Sequence, residues 1–478
     1  MLQFWSKWNR FHFAPLNWFA GSHTPSMTAP VPALEIAPGA AMWRADFLLG
    51  TATASYQIEG AVAEDGRLPS IWDSFSAQPG KVLHGDTGEV ACDHYHRWAA
   101  DLDLISELGL GAYRLSIAWP RVMDAAGRPN QKGLDFYRRV LTRLKEKGIQ
   151  SLVTLYHWDL PQHLEDRGGW LNRDTAYRFA EYADLISREF AGLVDQWATL
   201  NEPWCSAFLG YGNGHHAPGL ANLRCAAQAM HHLLLGHGLA VAVLRANDPK
   251  AKVGIVVNVT AASPASDSAA DVDAAHLALT MSNQWVLDPL HKGVYPADLF
   301  RLWPGAEPLV LEGDMAKISQ PLDFLGINYY FRIFVKADGR GGYAEVPWPG
   351  VERTQMGWEV YPQGLRDLLI DFNGRYKLPP IYITENGMSS ADEVVDGRVH
   401  DSQRIRFLES HLLAVNEAIE AGVKVNGYFI WSLMDNFEWA FGYERRFGIT
   451  HVNYATQVRT FKDSALAVKA FLKARRER

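Results

Sequence analysis

Cysteine is scarce in this chain, with three residues (Cys92, Cys205 and Cys225) among 478. Their number is odd and their spacing wide, so they supply neither a disulfide framework nor the close pairs of a thiolate metal site. A reducing compartment, the cytoplasm, is the simpler expectation. An excess of basic residues is missing as well. Lys and Arg total 46 against 53 Asp and Glu, a net charge of −7, and the two signs are interspersed without a basic stripe. Nucleic-acid partners are therefore not expected. No uninterrupted apolar run reaches the length of a bilayer span, which argues against a membrane partner. No Gly-rich loop follows the first strand-like run, so a dinucleotide-binding fold is disfavoured. Low-complexity tracts and solenoid repeats are also lacking.

Tryptophan, by contrast, is plentiful, at 17 residues. Indole faces stack on sugar C–H surfaces and indole N–H groups meet hydroxyls, which suits a carbohydrate cleft, although Trp also fills large cores. The first stretch, residues 1–42, mixes aromatics with Pro, Ala and Ser and has no periodicity. A secretory signal needs a continuous apolar segment, and His12, Pro15 and Asn17 interrupt this one. It reads as a poorly ordered leader, or as an upstream extension of a start at Met27, ahead of one domain over 43–478.

Beyond residue 46, short β-rich runs alternate with helical stretches. Strands are expected at 47–53, 112–117, 151–156, 196–200, 252–257, 324–328, 381–384 and 427–431, with helices at 98–108, 133–146, 173–190, 226–246 and 402–421. Eight strand-then-helix units point to an α/β fold, a single (β/α)8 TIM barrel. The stretches 261–280, 301–320 and 336–357 read as loop insertions at the C-terminal ends of the strands.

Two glutamates close two of these runs. Glu202 ends Gln196-Trp197-Ala198-Thr199-Leu200-Asn201-Glu202-Pro203, and Glu385 ends Pro380-Ile381-Tyr382-Ile383-Thr384-Glu385-Asn386-Gly387. A carboxylate at the tip of a buried strand is costly to keep for stability alone. One could be a helix N-cap. Two, each beside Asn, fit a pair working on one substrate, and acetal hydrolysis needs such a pair.

Further stretches name a family. They are Phe47-Leu48-Leu49-Gly50-Thr51-Ala52-Thr53-Ala54-Ser55-Tyr56-Gln57-Ile58-Glu59-Gly60, Tyr113-Arg114-Leu115-Ser116-Ile117-Ala118-Trp119, Tyr156-His157-Trp158-Asp159-Leu160-Pro161, Gly326-Ile327-Asn328-Tyr329-Tyr330, and Trp431-Ser432-Leu433-Met434-Asp435-Asn436-Phe437-Glu438-Trp439. With the two glutamate motifs, the sequence resembles glycoside hydrolase family 1, the retaining β-glucosidases and their relatives, from about Phe47 to Leu472. The resemblance implies that Glu202 is the acid/base and Glu385 the nucleophile. It makes Arg114 a cation that lowers the pKa of Glu385, and Tyr330 a phenol that donates to it. Glu202 should be the more protonated of the two until glycosylation of Glu385 removes a negative charge. Asn201 corresponds to the group that binds the sugar 2-hydroxyl. Gln57, His157, Trp158, Asn201, Asn328, Trp431, Glu438, Trp439 and Phe447 correspond to the pocket for the non-reducing unit, and Trp204 and Trp358 are candidate walls for the leaving group. The implied substrate is a small-molecule β-glucoside or oligosaccharide, with no cofactor and a homo-oligomer left open.

Singly, these residues have plainer readings. His157 could be a hydrogen-bonded core histidine, Trp431 and Trp439 core aromatics, and Asn328 a turn residue. They carry weight because they come with the glutamates. His231, His232 and His237, and likewise His215 and His216, are expected on helix faces, and no metal is expected because no carboxylate joins them. A 6-phospho-β-glycosidase is the main rival within the fold. Those relatives carry Ser in place of Glu438, with Lys and Tyr at the positions of Arg445 and Phe447, and Glu438 would repel a phosphate. A non-catalytic sugar-binding relative would have lost one glutamate. A metal-dependent barrel hydrolase would need converging His and Asp at strand ends, and none is evident.

Overall fold

The short apolar runs become strands because both of their faces are covered. Their outer side chains meet helices and their inner ones fill the barrel, so near-continuous apolar sequence is tolerated. The computed structural model describes residues 33–477 except 38 and 45. The strands of its main sheet are β1 (Leu48–Ala52), β2 (Ala112–Ser116), β3 (Gln150–Tyr156), β4 (Gln196–Asn201), β5 (Lys252–Pro264), β6 (Phe324–Ala337), β7 (Tyr343–Val346), β8 (Ile381–Asn386) and β9 (Val425–Trp431). Eight of them run parallel in the order β5-β4-β3-β2-β1-β9-β8-β6, and a β5–β6 pairing closes the ring. The ninth, β7, adds antiparallel to the outer half of β6.

The principal helices are α1 (His94–Leu108), α2 (Gln131–Glu146), α3 (Asp174–Glu189), α4 (Leu223–Asn247), α5 (Ala269–Leu279), α6 (Pro362–Arg375), α7 (Ser402–Glu420) and α8 (Asp463–Arg476). In α2 the apolar residues Leu134, Tyr137, Val140, Leu141 and Leu144 recur at helical spacing and are all buried. The barrel interior holds a second layer of buried side chains, among them Ala112, Leu152, Ala198, Val256, Phe324, Tyr382 and Phe429.

Several expectations change. Two of the three stretches expected as loop insertions hold regular structure: 261–280 contains the end of β5 and α5, and 336–357 contains the end of β6 and β7. The third, 301–320, is mostly irregular and is anchored by Asp314, which accepts from Arg173 at 2.7 Å and pairs with His231 at 3.0 Å. Residues 1–32 of the expected leader lie outside the described residues. Just after them Leu34, Ile36 and Met42 are buried, and the Met42 N–H donates to Asn416 Oδ1 at 3.0 Å. Finally, α4 is long and apolar enough in composition to cross a bilayer, which its interrupting histidines obscure in the sequence. Of its most apolar window 78% is buried within the fold, so a core helix accounts for that composition.

Candidate active site

The strand ends that carry the two glutamates are irregular. Pairing of β4 with β5 shifts between Ala198 and Asn201, β6 with β8 between Ile327 and Asn328, and β8 with β9 between Ile383 and Asn386. A bulge bends its strand and re-aims the side chains that follow. Here each shift falls where an apolar run gives way to Asn or Glu. Glu202, Trp158 and Trp439 have φ of +47°, +78° and +52°. Such left-handed positions cost non-glycine residues on the order of 1–3 kcal/mol and persist only where the surroundings over-determine them. Gly387, after β8, has no such choice: a Cβ there would meet the Trp431 carbonyl oxygen at 1.8 Å.

The two carboxyls keep different company. Glu385 is ion-paired with the buried Arg114 guanidinium and accepts from Tyr330 Oη at 2.6 Å. Arg114 also donates to Asn201 Oδ1 at 2.6 Å and to Thr154 Oγ1 at 3.3 Å. Glu202 receives neutral donors, Asn328 Nδ2 at 2.6 Å and the Cys205 thiol at 3.0 Å. Burial first, and then repulsion from Glu385, push Glu202 up to about 7, against the lowering effect of those two hydrogen bonds. Burial and the neighbouring carboxylates hold Tyr330 far above its ordinary range, so it remains a donor.

Around this pair the hydrogen-bond network fixes its own polarity. Asn201 Oδ1 accepts from Arg114 and, at 3.1 Å, from Asn328, so its amide nitrogen faces His157 Nε2 at 3.0 Å. Burial, then Arg114, hold His157 well below its ordinary pKa. The neutral ring must accept at Nε2 and carry its proton on Nδ1, an atom that is buried and has no partner. Gln57 spends its NH2 on Asn436 Oδ1 at 3.0 Å and the Phe437 carbonyl at 2.8 Å, leaving Oε1 unpartnered. Glu438 Oε2 is likewise buried without a partner, and burial followed by Glu385 and Glu202 raises its pKa to about 8.

These groups surround a cavity of about 470 Å³. Glu202, Glu385, His157, Trp158, Tyr330, Trp431, Glu438, Trp439 and Phe447 line it, and so do Trp204 and Trp358. Arg114, Asn201 and Asn328 stand behind this wall, bonded to lining groups, and Gln57 lies beneath the turn that carries Glu438. Aromatic rings brace the wall, with Trp439 packed on Trp158 at 4.6 Å and on His157 at 6.1 Å.

Of the remaining histidines singled out, two lie off any helix and three lie on one. His215 and His216 follow the helical turn Cys205–Gly212 in a loop, and His216 packs between Trp72 and Trp158 at 5.3 and 5.2 Å. His231, His232 and His237 do lie on α4, yet on its buried side, bonded to Tyr295 and Asp314, to the Trp170 carbonyl, and to Thr199. Among the described residues no group of three or more His, Cys, Asp or Glu could hold a metal ion. Two contacts at the glutamates escape the sequence reading. Cys205 sits three residues after Glu202, one helical turn on, a spacing that could have revealed it. Thr384 Oγ1 holds Asn328 Oδ1 at 2.7 Å, and nothing in the sequence signals that.

Residues 40–477 match the family described as Glycosyl hydrolase family 1. The chain is 45% identical over 436 residues to Beta-glucosidase A of Acetivibrio thermocellus, covering 90% of this chain and 97% of that one. It is 48% identical over 444 residues to the Bifunctional beta-D-glucosidase/beta-D-fucosidase of Bifidobacterium breve, covering 87% and 95%. Among solved structures it resembles the family 1 β-glucosidase from Thermotoga maritima in complex with isofagomine lactam, with a TM-score of 0.88 and 44% identity over 91% of this chain and 99% of that one. A closed barrel, two unlike carboxyls at its C-terminal rim and a match along nearly the whole described chain lead to one assignment: this protein belongs to glycosyl hydrolase family 1.

Proposed function

We propose that the chain is a retaining β-glucosidase, releasing terminal non-reducing β-D-glucosyl residues from small glucosides or oligosaccharides by double displacement. The observation that carries this reading is the unlike company of the two carboxyls. Glu385, fed by a guanidinium and a phenol, suits attack on the anomeric carbon. Glu202, held up to about 7, keeps a proton to give the departing oxygen at and below neutral pH. When Glu385 becomes a glycosyl ester its negative charge disappears. That charge ranks second only to burial in raising Glu202, so Glu202 then falls and can take a proton from the incoming water. The glycosyl–Glu385 bond breaks as the water oxygen bonds to the sugar, and both side chains return to their starting states.

The orphan atoms have a role in this scheme. His157 Nδ1–H, Gln57 Oε1 and Glu438 Oε2 supply one donor and two acceptors for sugar hydroxyls, and Asn201 is assigned to the 2-hydroxyl. A 6-phosphoglucoside is disfavoured: among the described residues no Lys or Arg lines the cavity, Glu438 does, and Arg445 is paired with Glu444.

Azide rescue tests the roles. Glu385→Gly is expected to abolish turnover, with azide partly restoring it and giving the α-glucosyl azide. Glu202→Ala should glycosylate quickly with a good leaving group and then stall, with azide giving the β-product. An α-azide from the Glu202 variant would exchange the two roles.

A further inference from the structure

The outer part of the cavity contains a carboxyl that the hydrolytic scheme does not use. Glu345 lies on β7, its backbone in register with Val335 of β6, and it lines the cavity together with Trp204, Phe208, Trp303 and Tyr343. Arg332, the nearest guanidinium along β6, is paired with Glu359. On α5, which packs against β7, Asp271 accepts from Ser266 and the Ala337 N–H, while Asp273 and His276 are paired with Arg301 and Asp298. Lys336 sits opposite Ala344 and is exposed, and burial keeps Tyr343 a neutral phenol. None of these charges acts on Glu345. Burial alone raises its pKa, to about 7.

An aromatic-lined space with an unmatched carboxyl and, among the described residues, no Lys or Arg has a defined chemistry. Aromatic faces and a carboxylate both attract an organic cation, and their attraction strengthens as water is excluded. The three histidines on the cavity wall do not oppose it: burial holds His157, His215 and His216 below their ordinary pKa. A leaving group bearing a carboxylate would face Glu345 with no cation to offset the repulsion.

We propose that Glu345 makes this part of the cavity selective for a leaving group that carries an organic ammonium on an apolar ring, a specificity that rests on the β-glucosidase reading above. The test compares kcat/KM for three phenyl β-glucosides that differ only at a para two-carbon arm: 4-(2-aminoethyl)phenyl, 4-ethylphenyl and 4-(2-carboxyethyl)phenyl. The saturated arm insulates the phenol, so the three leaving groups depart with similar ease. The ammonium compound should exceed the ethyl compound by roughly tenfold, as a charge-assisted contact gives, and the carboxylate compound should fall below it. Because Glu345 gains its charge as pH rises through about 7, the ammonium-to-ethyl ratio should be small at pH 5.5 and large at pH 8. The ratio cancels the proton-donor titration of Glu202, and the comparison with Glu345→Gln separates Glu345 from Glu202 and Glu438, which line the same cavity and gain charge in the same window. Glu345→Gln should bring the ratio to about one at every pH. Equal rates for the ammonium and ethyl compounds in the unaltered enzyme at pH 8, or an undiminished ratio in the variant, overturns the proposal. Should Glu345→Gln fail to fold, Glu345→Ala takes its place, with the same ratio of about one expected at every pH. Failure to hydrolyse even the ethylphenyl glucoside would instead defeat the β-glucosidase reading.

Discussion

Two clusters of ionisable groups lie at the same rim of the barrel and treat charge in opposite ways. Around the loops after β8 and β9, Lys462 bridges Asp392 and Asp435, Arg404 of α7 pairs with Asp392 and Asp401, and Arg446 pairs with Asp435. Three cations meet three carboxylates, each anion with at least one cation, and Gly448 N–H and Ser464 Oγ–H add further donors. Despite burial, Arg404 and Lys462 draw Asp392 down to about 2. Glu438, only three residues from Asp435, meets the reverse: no partner at Oε2, two like charges nearby, and a pKa of about 8. Both regions are buried, so burial does not separate them. The difference is that one cluster is complete within the chain, whereas the other leaves atoms without partners, which the proposed function gives to a substrate. The first fixes the shape of the loops, and the second gives up stability for binding.

The comparison breaks most sharply at Lys462. Lys462→Met removes one cation from a balanced buried set and should cost about 3–5 kcal/mol. Urea titration followed by tryptophan fluorescence measures it, and an unchanged midpoint would mean that the network contributes nothing. Glu438→Gln should have the opposite effect on stability. The unfolded chain releases that proton near 4.5 while the folded one holds it to about 8, so raising the pH across this window favours unfolding. The variant should therefore gain on the unaltered protein as pH climbs from 5 to 8, by about 4 kcal/mol at the upper end, with the largest gap in that window at pH 8. Its kcat/KM for nitrophenyl glucoside at neutral pH should fall by the equivalent of roughly 0.5–1.5 kcal/mol, the worth of one hydrogen bond between neutral groups, since Glu438 holds its proton there. A third change is smaller. The Cys205 thiol, itself held neutral by burial, donates to Glu202 and lowers its pKa, so Cys205→Ala should move the alkaline limb of kcat/KM upward by less than about one unit. A limb that stays put would show the thiol to be a packing group.

The same contrast governs what can be read from sequence. The site is legible because its residues cluster at strand ends: Asn201-Glu202-Pro203 and Thr384-Glu385-Asn386-Gly387 announce themselves within four residues. The ion network is not, since Lys462 and Asp392 are 70 positions apart and each alone passes for a surface charge. The eight barrel strands follow from apolar runs bounded by turns. The outward continuations of β5 and β6, with β7, escape because Gly339, Gly341 and Gly342 break the pattern between them, so 336–357 reads as a loop although a hairpin is there. His216 is misread for the same reason that it matters: a ring wedged between Trp72 and Trp158 is defined by partners 144 and 58 positions away.

The register shifts at Asn201, Asn328 and Asn386 carry a lesson for transplantation. Side chains alternate between the two faces of a strand, so one extra residue reverses the direction of everything beyond it. Copying Glu202, Glu385 and their asparagines onto the evenly paired strands of another barrel would therefore send part of the set outward, toward the helices. The chemistry of this rim is written in the spelling of the backbone as much as in its letters, and a working graft would have to carry the extra residues of β4 and β8 with it.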